Sequence, residues 1–137
     1  MTKKIIYSTI AILFVIFTSC SKEEKKYDGD AQLAFSENEY EFNVTANSST
    51  ISIPIQLIAS GWTNASGSVT TDPTSSCADA VSYTSDFTLE NNAFSYSLNI
   101  TVNYDLLSSG ENTLILNLSS PIKVAKYYST ATIYIYK

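Results

Sequence analysis

The 137-residue chain has a formal net charge of −5, and its eight basic side chains are all lysine, because it contains neither arginine nor histidine. A length of this order fits a single domain. The acidic balance and the lack of arginine make a poor partner for phosphate backbones, which excludes nucleic-acid binding. The lack of histidine excludes Ser-His-Asp and Cys-His catalysis and imidazole metal sites.

Residues 1–19 have the pattern of a secretory signal peptide. Lys3 and Lys4 precede an almost uninterrupted apolar run from Ile5 to Phe17. As a helix these thirteen residues would extend about 20 Å, which is too short for a hydrocarbon core of roughly 30 Å. A cleaved signal is therefore favoured over a permanent transmembrane helix.

The signal ends in FTSC, residues 17–20, which resembles the lipobox of bacterial lipoproteins, with Phe17 in place of the usual leucine. The resemblance implies that Cys20 is lipidated and becomes the first residue of the mature chain. Each buried CH₂ contributes about 0.8 kcal/mol, so a multi-chain lipid at this position gives stable membrane anchoring.

The charged segment SKEE, residues 21–24, resembles the surface-export tag of lipoproteins from Bacteroidota-type Gram-negative bacteria. This resemblance implies an outer-membrane lipoprotein exposed on the cell surface, although a plain solvated tether would have the same composition. Residues 20–30 are assigned as the lipidated, charged tether and residues 31–137 as the folded domain. A mature chain with six lysines and thirteen acids has a net charge of −7, so its link to the membrane is covalent rather than electrostatic.

From residue 31 onward, apolar residues recur at every second position, which predicts strands with one buried face. Pro54 cannot donate a hydrogen bond to a neighbouring strand, which predicts an edge strand or a bulge at that position. The strongest inward-facing series are Tyr40, Phe42 and Val44; Ile51, Ile53, Ile55 and Leu57; Phe94, Tyr96, Leu98, Ile100, Val102 and Tyr104; Leu114, Leu116 and Leu118; and Ala131, Ile133 and Ile135.

Weaker strands are predicted at Gln32–Phe35, Ser68–Thr71, Val81–Tyr83 and Phe87–Leu89. Turn-rich segments separate all of these stretches, and no helical pattern follows residue 20. About seven to eight short strands with one apolar face predict an all-β fold, an antiparallel two-sheet β-sandwich with immunoglobulin-like character.

The stretch from Phe35 to Ile135 resembles a Calx-beta-type domain. The likeness rests on FSENEYEFNVTANSSTISIPIQL, ADAVSYTSDFTL, LNITVNYDLLSSGENTLILNLSSP and TATIYI. The resemblance implies a β-sandwich of this length, and many such domains bind calcium through acids clustered at one end. Only Asp105 and Glu111 match the acidic positions, with Asp86 nearby, while Ser82 stands where the family has aspartate. Because Ca²⁺ takes six to eight oxygen ligands, we expect solvated turn residues here rather than a calcium site.

Neither a reactive thiol nor glycoside hydrolysis is expected from this sequence. If Cys20 is lipidated, Cys77 has no disulfide partner, and it is predicted to be a buried, inert thiol. Glycoside hydrolysis would need a pair drawn from Asp86, Asp105 and Glu111, but a sandwich this small has its interior filled by side chains. The sequence therefore predicts that the protein is not an enzyme and has no cofactor.

Aromatic residues are the remaining candidates for ligand binding. Tyr128, Tyr134 and Tyr136 are predicted to share one face of the last strand, where outward rings can stack on sugars or contact a protein. Tyrosine also suits strand surfaces for structural reasons alone. Trp62 stands in the loop SGWTNASG, either as an exposed contact residue or as a cap on the core.

The favoured hypothesis is a non-catalytic, surface-tethered binding or accessory module for a glycan or a partner protein, presenting Trp62 and the tyrosine face. One alternative is a purely structural envelope or assembly component without a small ligand. Another is a calcium-dependent adhesion-type domain.

Overall fold

The computed structural model describes residues 27–137, so the predicted signal peptide and Cys20 lie outside the described residues. Two five-stranded sheets pack face to face, which confirms the predicted β-sandwich. The number of strands is ten, whereas seven to eight were predicted. The strands are β1 (Gln32–Phe35), β2 (Glu39–Asn43), β3 (Thr50–Ile58), β4 (Ala65–Thr71), β5 (Val81–Ser82), β6 (Asp86–Leu89), β7 (Ser95–Val102), β8 (Glu111–Ser119), β9 (Lys123–Val124) and β10 (Thr130–Tyr136).

The first sheet has the strand order β5-β7-β3-β1-β9 and the second has the order β2-β10-β8-β4-β6. Three residues between β1 and β2 carry the chain from the first sheet to the second. Most strand pairs are antiparallel, as predicted, but β1 pairs with β9 and β2 pairs with β10 in parallel. Both parallel pairs lie at a sheet edge.

The core lies between the sheets and is formed by the alternating residues of the long strands. Ile53 and Ile55 of β3, Leu98 and Ile100 of β7, and Leu114 of β8 are fully buried. The predicted inward series on these strands are therefore confirmed, with corrections at the two ends of the β7 stretch. There Phe94 is 45% exposed, and Tyr104 begins a 3-10 helix (Tyr104–Leu106).

The prediction of an edge strand or bulge at Pro54 is wrong. β3 lies in the middle of the first sheet, between β7 and β1. The carbonyl oxygen of Pro54 accepts a hydrogen bond from the amide of Ser36, one residue beyond the end of β1. In an antiparallel pair the N–H and C=O of one residue face the same partner, so Pro54 lacks only the reciprocal hydrogen bond to Ser36, at the end of the β1–β3 pairing.

The sandwich has two ends, which we call proximal and distal. The described chain begins at Tyr27 at the proximal end, where Gln32 pairs with Ile58 and Ala65 pairs with Leu89. At the distal end Thr50 pairs with Thr101, and Tyr136 pairs with Glu111. Across residues 27–137, the structure contains no helix with the length and apolar character needed to cross a bilayer.

Candidate functional site

A trough of about 570 Å³ lies on the second sheet, where the edge strand β6, its neighbour β4 and the end of β8 meet. Its volume falls within the range of about 300–1,000 Å³ that is common for small-ligand sites. The trough is lined by Ser66, Gly67, Ser68, Asp86, Phe87, Thr88, Ser119, Ser120 and Pro121.

Strand register brings the polar side chains of the trough together. Ser66 of β4 pairs with Thr88 of β6, and Ser68 pairs with Asp86. Ser68 also pairs with Ser119 of β8 on its other side. Because alternate residues of a strand point to the same face, these five side chains share the outer face of the sheet.

Hydrogen bonds between the strands fix part of this polar surface. The hydroxyl oxygens of Ser68 and Ser119 lie 2.8 Å apart, and the Ser120 hydroxyl donates to the carbonyl oxygen of Ser66. Both contacts join β4 to the end of β8. Three of the five lining hydroxyls, those of Ser68, Ser119 and Ser120, are therefore held in position before any ligand arrives.

The lining has a distinctive chemical character. It contains five hydroxyl groups and the single carboxylate of Asp86, and no lysine is among the lining residues. Hydroxyls both donate and accept hydrogen bonds, whereas an ionised carboxylate only accepts them. Such a surface suits a neutral ligand rich in hydroxyl groups and disfavours an anionic one. One carboxylate alone does not supply the acid and base pair that glycoside hydrolysis needs.

The three acids considered for calcium do not come together. Asp86 and Ser119 both pair with Ser68, so they lie at the same level of the sheet. Ser119 is the last residue of β8, and Glu111 is the first. Eight residues of strand at about 3.3 Å each separate them by roughly 26 Å. Asp105 lies at the distal end with Glu111. Within residues 27–137 no group of three or more Asp, Glu, Cys or His side chains is arranged to hold a metal ion.

Glu111 contacts a tyrosine instead. The Tyr136 hydroxyl donates a hydrogen bond to Oε2 of Glu111 at 3.1 Å. This hydrogen bond to the carboxylate is the main reason that the pKa of Tyr136 is raised, with smaller contributions from burial and nearby charge.

The prediction that three tyrosines share one face of the last strand holds for two of them. Tyr134 and Tyr136 lie on the outer face of β10, opposite the inward Ile133 and Ile135. Tyr128 ends a 3-10 helix (Lys126–Tyr128) before β10 begins, and its side chain is 43% exposed. The tyrosine face of β10 is therefore a pair of half-buried rings.

Trp62 is an exposed loop residue whose ring is held by a hydrogen bond to a second loop. Its indole Nε1 donates to the carbonyl oxygen of Ala93 at 3.1 Å, which ties the β3–β4 loop to the β6–β7 loop. The side chain is 37% exposed, and Phe94 follows Ala93 directly with 45% exposure. Trp62 thus presents part of a fixed ring to solvent at the proximal end.

Cys77 is a free cysteine and only 4% exposed, as the sequence predicts. Burial raises the pKa of its thiol. A buried thiol with a raised pKa has little thiolate at neutral pH and is a weak nucleophile. None of the residues that line the trough is a neighbour of Cys77 in the sequence.

No family model matches the sequence, and no curated protein is significantly similar to it. Solved structures nevertheless share its fold. The apo form of the Calx CBD1 domain superposes with a TM-score of 0.62 at 16% identity, covering 79% of this chain and 97% of that domain. The fold is Calx-beta-like.

Two proteins from Bacteroides ovatus have the same architecture as part of a longer chain. One, proposed to bind carbohydrate, gives a TM-score of 0.63 at 12% identity over 77% of this chain, which spans only 37% of that protein. The other, of unknown function, gives 0.54 at 15% identity over 75% of this chain and 43% of its own length. At these identities the likeness concerns the fold.

The trough was not among the sites predicted from the sequence, apart from Asp86. Exposed serine and threonine on alternating strand positions look the same whether they contact a ligand or water. One signal was present, because a glycine inside a strand often marks a close approach of another group. A Cβ on Gly67 would lie 2.7 Å from Cζ of Phe87.

Proposed function

We propose that this protein is a non-catalytic, lipid-anchored surface module that binds a neutral glycan in the trough of the second sheet. The observation that carries the proposal is the lining itself, which has five hydroxyls, one carboxylate and no cationic side chain. A sugar offers hydroxyl donors and acceptors at close spacing, and the lining matches them in kind.

Asp86 is the residue expected to contribute most to affinity. Its side chain is exposed on the edge strand and lines the trough. A carboxylate accepting hydrogen bonds from two sugar hydroxyls forms charge-assisted bonds, which are stronger than those between neutral groups. The same charge repels uronic acids and sulfated or phosphorylated sugars, so specificity for neutral glycans follows from one residue.

Two further observations support the proposal. One neighbour in fold is a Bacteroides ovatus protein proposed to bind carbohydrate. The FTSC and SKEE segments support lipidation at Cys20 and display at the outer-membrane surface. A lipoprotein held there meets extracellular polysaccharide directly.

A panel of neutral and acidic glycans tests the proposal, with binding measured by calorimetry for the native protein and for Asp86→Ala. Losing hydrogen bonds to a charged group costs about 1.5–3 kcal/mol, so we expect binding to weaken by roughly ten- to hundred-fold. Asp105→Ala is the matched control, because it removes an exposed acid at the distal end. Glycan binding that is equally strong in both variants would contradict the assignment of the trough.

Tyr134→Ala and Tyr136→Ala test whether the glycan binds at the tyrosine face of β10 instead. If these substitutions abolish glycan binding while Asp86→Ala does not, the ligand contacts the tyrosine face of β10. If no glycan binds the native protein, a purely structural envelope role replaces the proposal. Calcium-dependent adhesion is tested separately by measuring the melting temperature with and without chelator. The chelator lowers the melting temperature only if a metal ion is bound.

A further inference from the structure

We propose that the proximal end of the sandwich docks on the lipid headgroup region of the membrane through Tyr27, Trp62 and Phe94. The domain then stands upright, with Asp105 and Glu111 at its outer tip. The inference rests on the proposed lipidation of Cys20, and it adds a second, non-covalent contact with the same membrane.

Exposed aromatic residues are concentrated at the proximal end. Tyr27, Trp62 and Phe94 are 36%, 37% and 45% exposed. Of the other large apolar side chains exposed among the described residues, Leu106 lies at the distal end. Tyr127 and Tyr128 lie in the 3-10 helix that connects the two sheets before β10. The proximal end alone combines three aromatic rings from three separate segments.

Hydrogen bonds hold these three segments at the same end. Trp62 donates to the carbonyl oxygen of Ala93, and the Phe94 carbonyl oxygen accepts from the amide of Leu57 at 2.8 Å. The Tyr27 hydroxyl accepts from the side chain of Gln32 at 3.1 Å, at the start of β1. The rings are thus presented by a fixed surface, which lowers the entropy lost on contact.

The chemistry of this surface suits a bilayer interface. Tryptophan and tyrosine combine an apolar ring with a polar atom and are enriched at the level of lipid headgroups. The loop residues 60–64 around Trp62 are uncharged, so contact buries no unpaired charge there. Asp28, Asp30 and Glu90 outnumber Lys123, which pairs with Gln32 at this end, so the net negative charge disfavours an anionic membrane. The expected partner is therefore a zwitterionic phospholipid surface.

The position of the proposed lipid anchor also favours contact between the proximal end and the membrane. Cys20 and Tyr27 are seven positions apart in the sequence, and a chain of that length reaches at most about 25 Å. The nine-residue strand β8 runs from one end of the sandwich to the other, so the distal end lies roughly 30 Å from the proximal end. The anchor therefore keeps the proximal end beside the bilayer, while the distal end contacts it only if the domain turns over. The trough opens sideways on the outer face of the second sheet, and its Ser66–Thr88 pair is the next one after the Ala65–Leu89 pair of the proximal end. In the upright orientation it therefore lies just above the bilayer surface and faces along it.

Trp62 is itself the probe, because it is the only tryptophan in the sequence. The full lipidated protein is incorporated into phosphatidylcholine vesicles with and without phosphatidylcholine brominated near the headgroup. We expect the brominated lipid to quench most of the Trp62 emission, and the emission maximum to lie at shorter wavelength than in detergent-free Cys20→Ser protein. A matched reporter, Trp62→Phe with Leu106→Trp, places the indole at an exposed distal position and is expected to remain unquenched.

Two outcomes overturn the inference. Unquenched Trp62 in vesicle-bound, lipidated protein shows that the proximal end does not touch the bilayer, and equal quenching of both reporters shows that the domain lies flat. Mass spectrometry that finds no fatty acid on Cys20 overturns the anchoring and with it this inference. Glycan binding is scored independently by Asp86→Ala in the absence of vesicles, so its success or failure is distinguishable from these results.

Discussion

The rings of Phe87 and Tyr96 stack across the interior of the sandwich, with their centroids 4.7 Å apart and their planes inclined by 12°. Phe87 belongs to the edge strand β6 of the second sheet, and Tyr96 belongs to β7 of the first. Such pairs contribute about 0.5–1.5 kcal/mol beyond the area that they bury. The stack therefore fastens the strand that carries Asp86 to the opposite sheet and stiffens one wall of the trough.

Gly67 makes room for this arrangement, which leads to the first prediction. A Cβ at this position would lie 2.7 Å from Cζ of Phe87 and 3.0 Å from the carbonyl oxygen of Ser119. Overpacking of this kind costs about 1–3 kcal/mol, so we expect Gly67→Ala to lower the free energy of unfolding by that amount. Denaturant titration measures the change, with Gly61→Ala as the control because a Cβ there meets nothing within 4 Å. Equal stability of the two variants would show that the Phe87 ring moves freely.

Asn112 stabilises the loop before β8, which leads to the second prediction. It is 2% exposed, its Oδ1 accepts from the amide of Ser108, and its Nδ2 donates to the carbonyl oxygens of Ser108, Gly110 and Ile135. Asn112→Ala removes all of these hydrogen bonds, each of which contributes about 0.5–1.5 kcal/mol, so we expect the free energy of unfolding to fall by about 1–3 kcal/mol. Asn99→Ala, on the exposed face of β7, is the control and should be close to neutral. The account fails here if both alanine variants unfold at the same denaturant concentration.

Asp72 gives the third prediction, a pH dependence. Hydrogen bonds from the side chain and the amide of Thr74, and then from the side chain of Asn117, hold its pKa below the ordinary value of 3.8. Because the unfolded chain takes up the proton more readily, this stabilisation is fully present above about pH 4 and is lost as the pH falls through the lower folded-state pKa. Asp72→Asn should therefore reduce the difference in melting temperature between pH 7 and pH 3.

The control for this pH dependence is Asp79→Asn, since Asp79 is an exposed acid in a short 3-10 helix (Ala78–Ala80) outside this hydrogen-bond network. Calorimetric scans of both variants at the two pH values separate the effect of one particular carboxylate from a change in net charge. If Asp79→Asn alters the acid sensitivity as much as Asp72→Asn, the Thr74 and Asn117 contacts are not its cause.

Cys77 gives the fourth prediction. Burial raises the pKa of its thiol, so the thiolate is scarce at pH 8 and access is also restricted. In the Cys20→Ser variant, where Cys77 is the sole thiol, labelling by a chromogenic disulfide reagent should be slow in the native protein and rapid in denaturant. Rapid stoichiometric labelling of the native state would contradict the burial of this side chain.

Much of the fold could be predicted from the sequence, because burial on one face imposes a period of two on a strand. The series from Ile51 to Leu57 is inward in the structure at every predicted position. The role of Pro54 could not be predicted, because it depends on where β1 ends relative to β3. The prediction that Tyr128 belongs to the last strand is wrong for a related reason. A 3-10 helix ends at Tyr128, and β10 begins two residues later, at Thr130.

The trough could not be predicted, because its residues meet only through strand register. Ser68 and Ser119 are fifty-one positions apart in the chain, yet their hydroxyls lie 2.8 Å apart. The sequence groups Asp86 with Asp105 and Glu111 as candidate acids, whereas the sheet places it beside Ser68 and far from the distal end. Local pattern identifies which face a side chain takes, and pairing between distant strands decides its neighbours.

The most direct test of the glycan-binding trough maps the ligand on the protein by NMR. Backbone amide shifts are followed while the neutral glycan that binds most strongly in the panel is titrated into the protein. We predict that the shifts cluster in residues 66–68, 86–88 and 119–121, the three segments that line the trough. Shifts centred on Tyr134 and Tyr136, or no saturable shifts with any neutral glycan, would contradict the account.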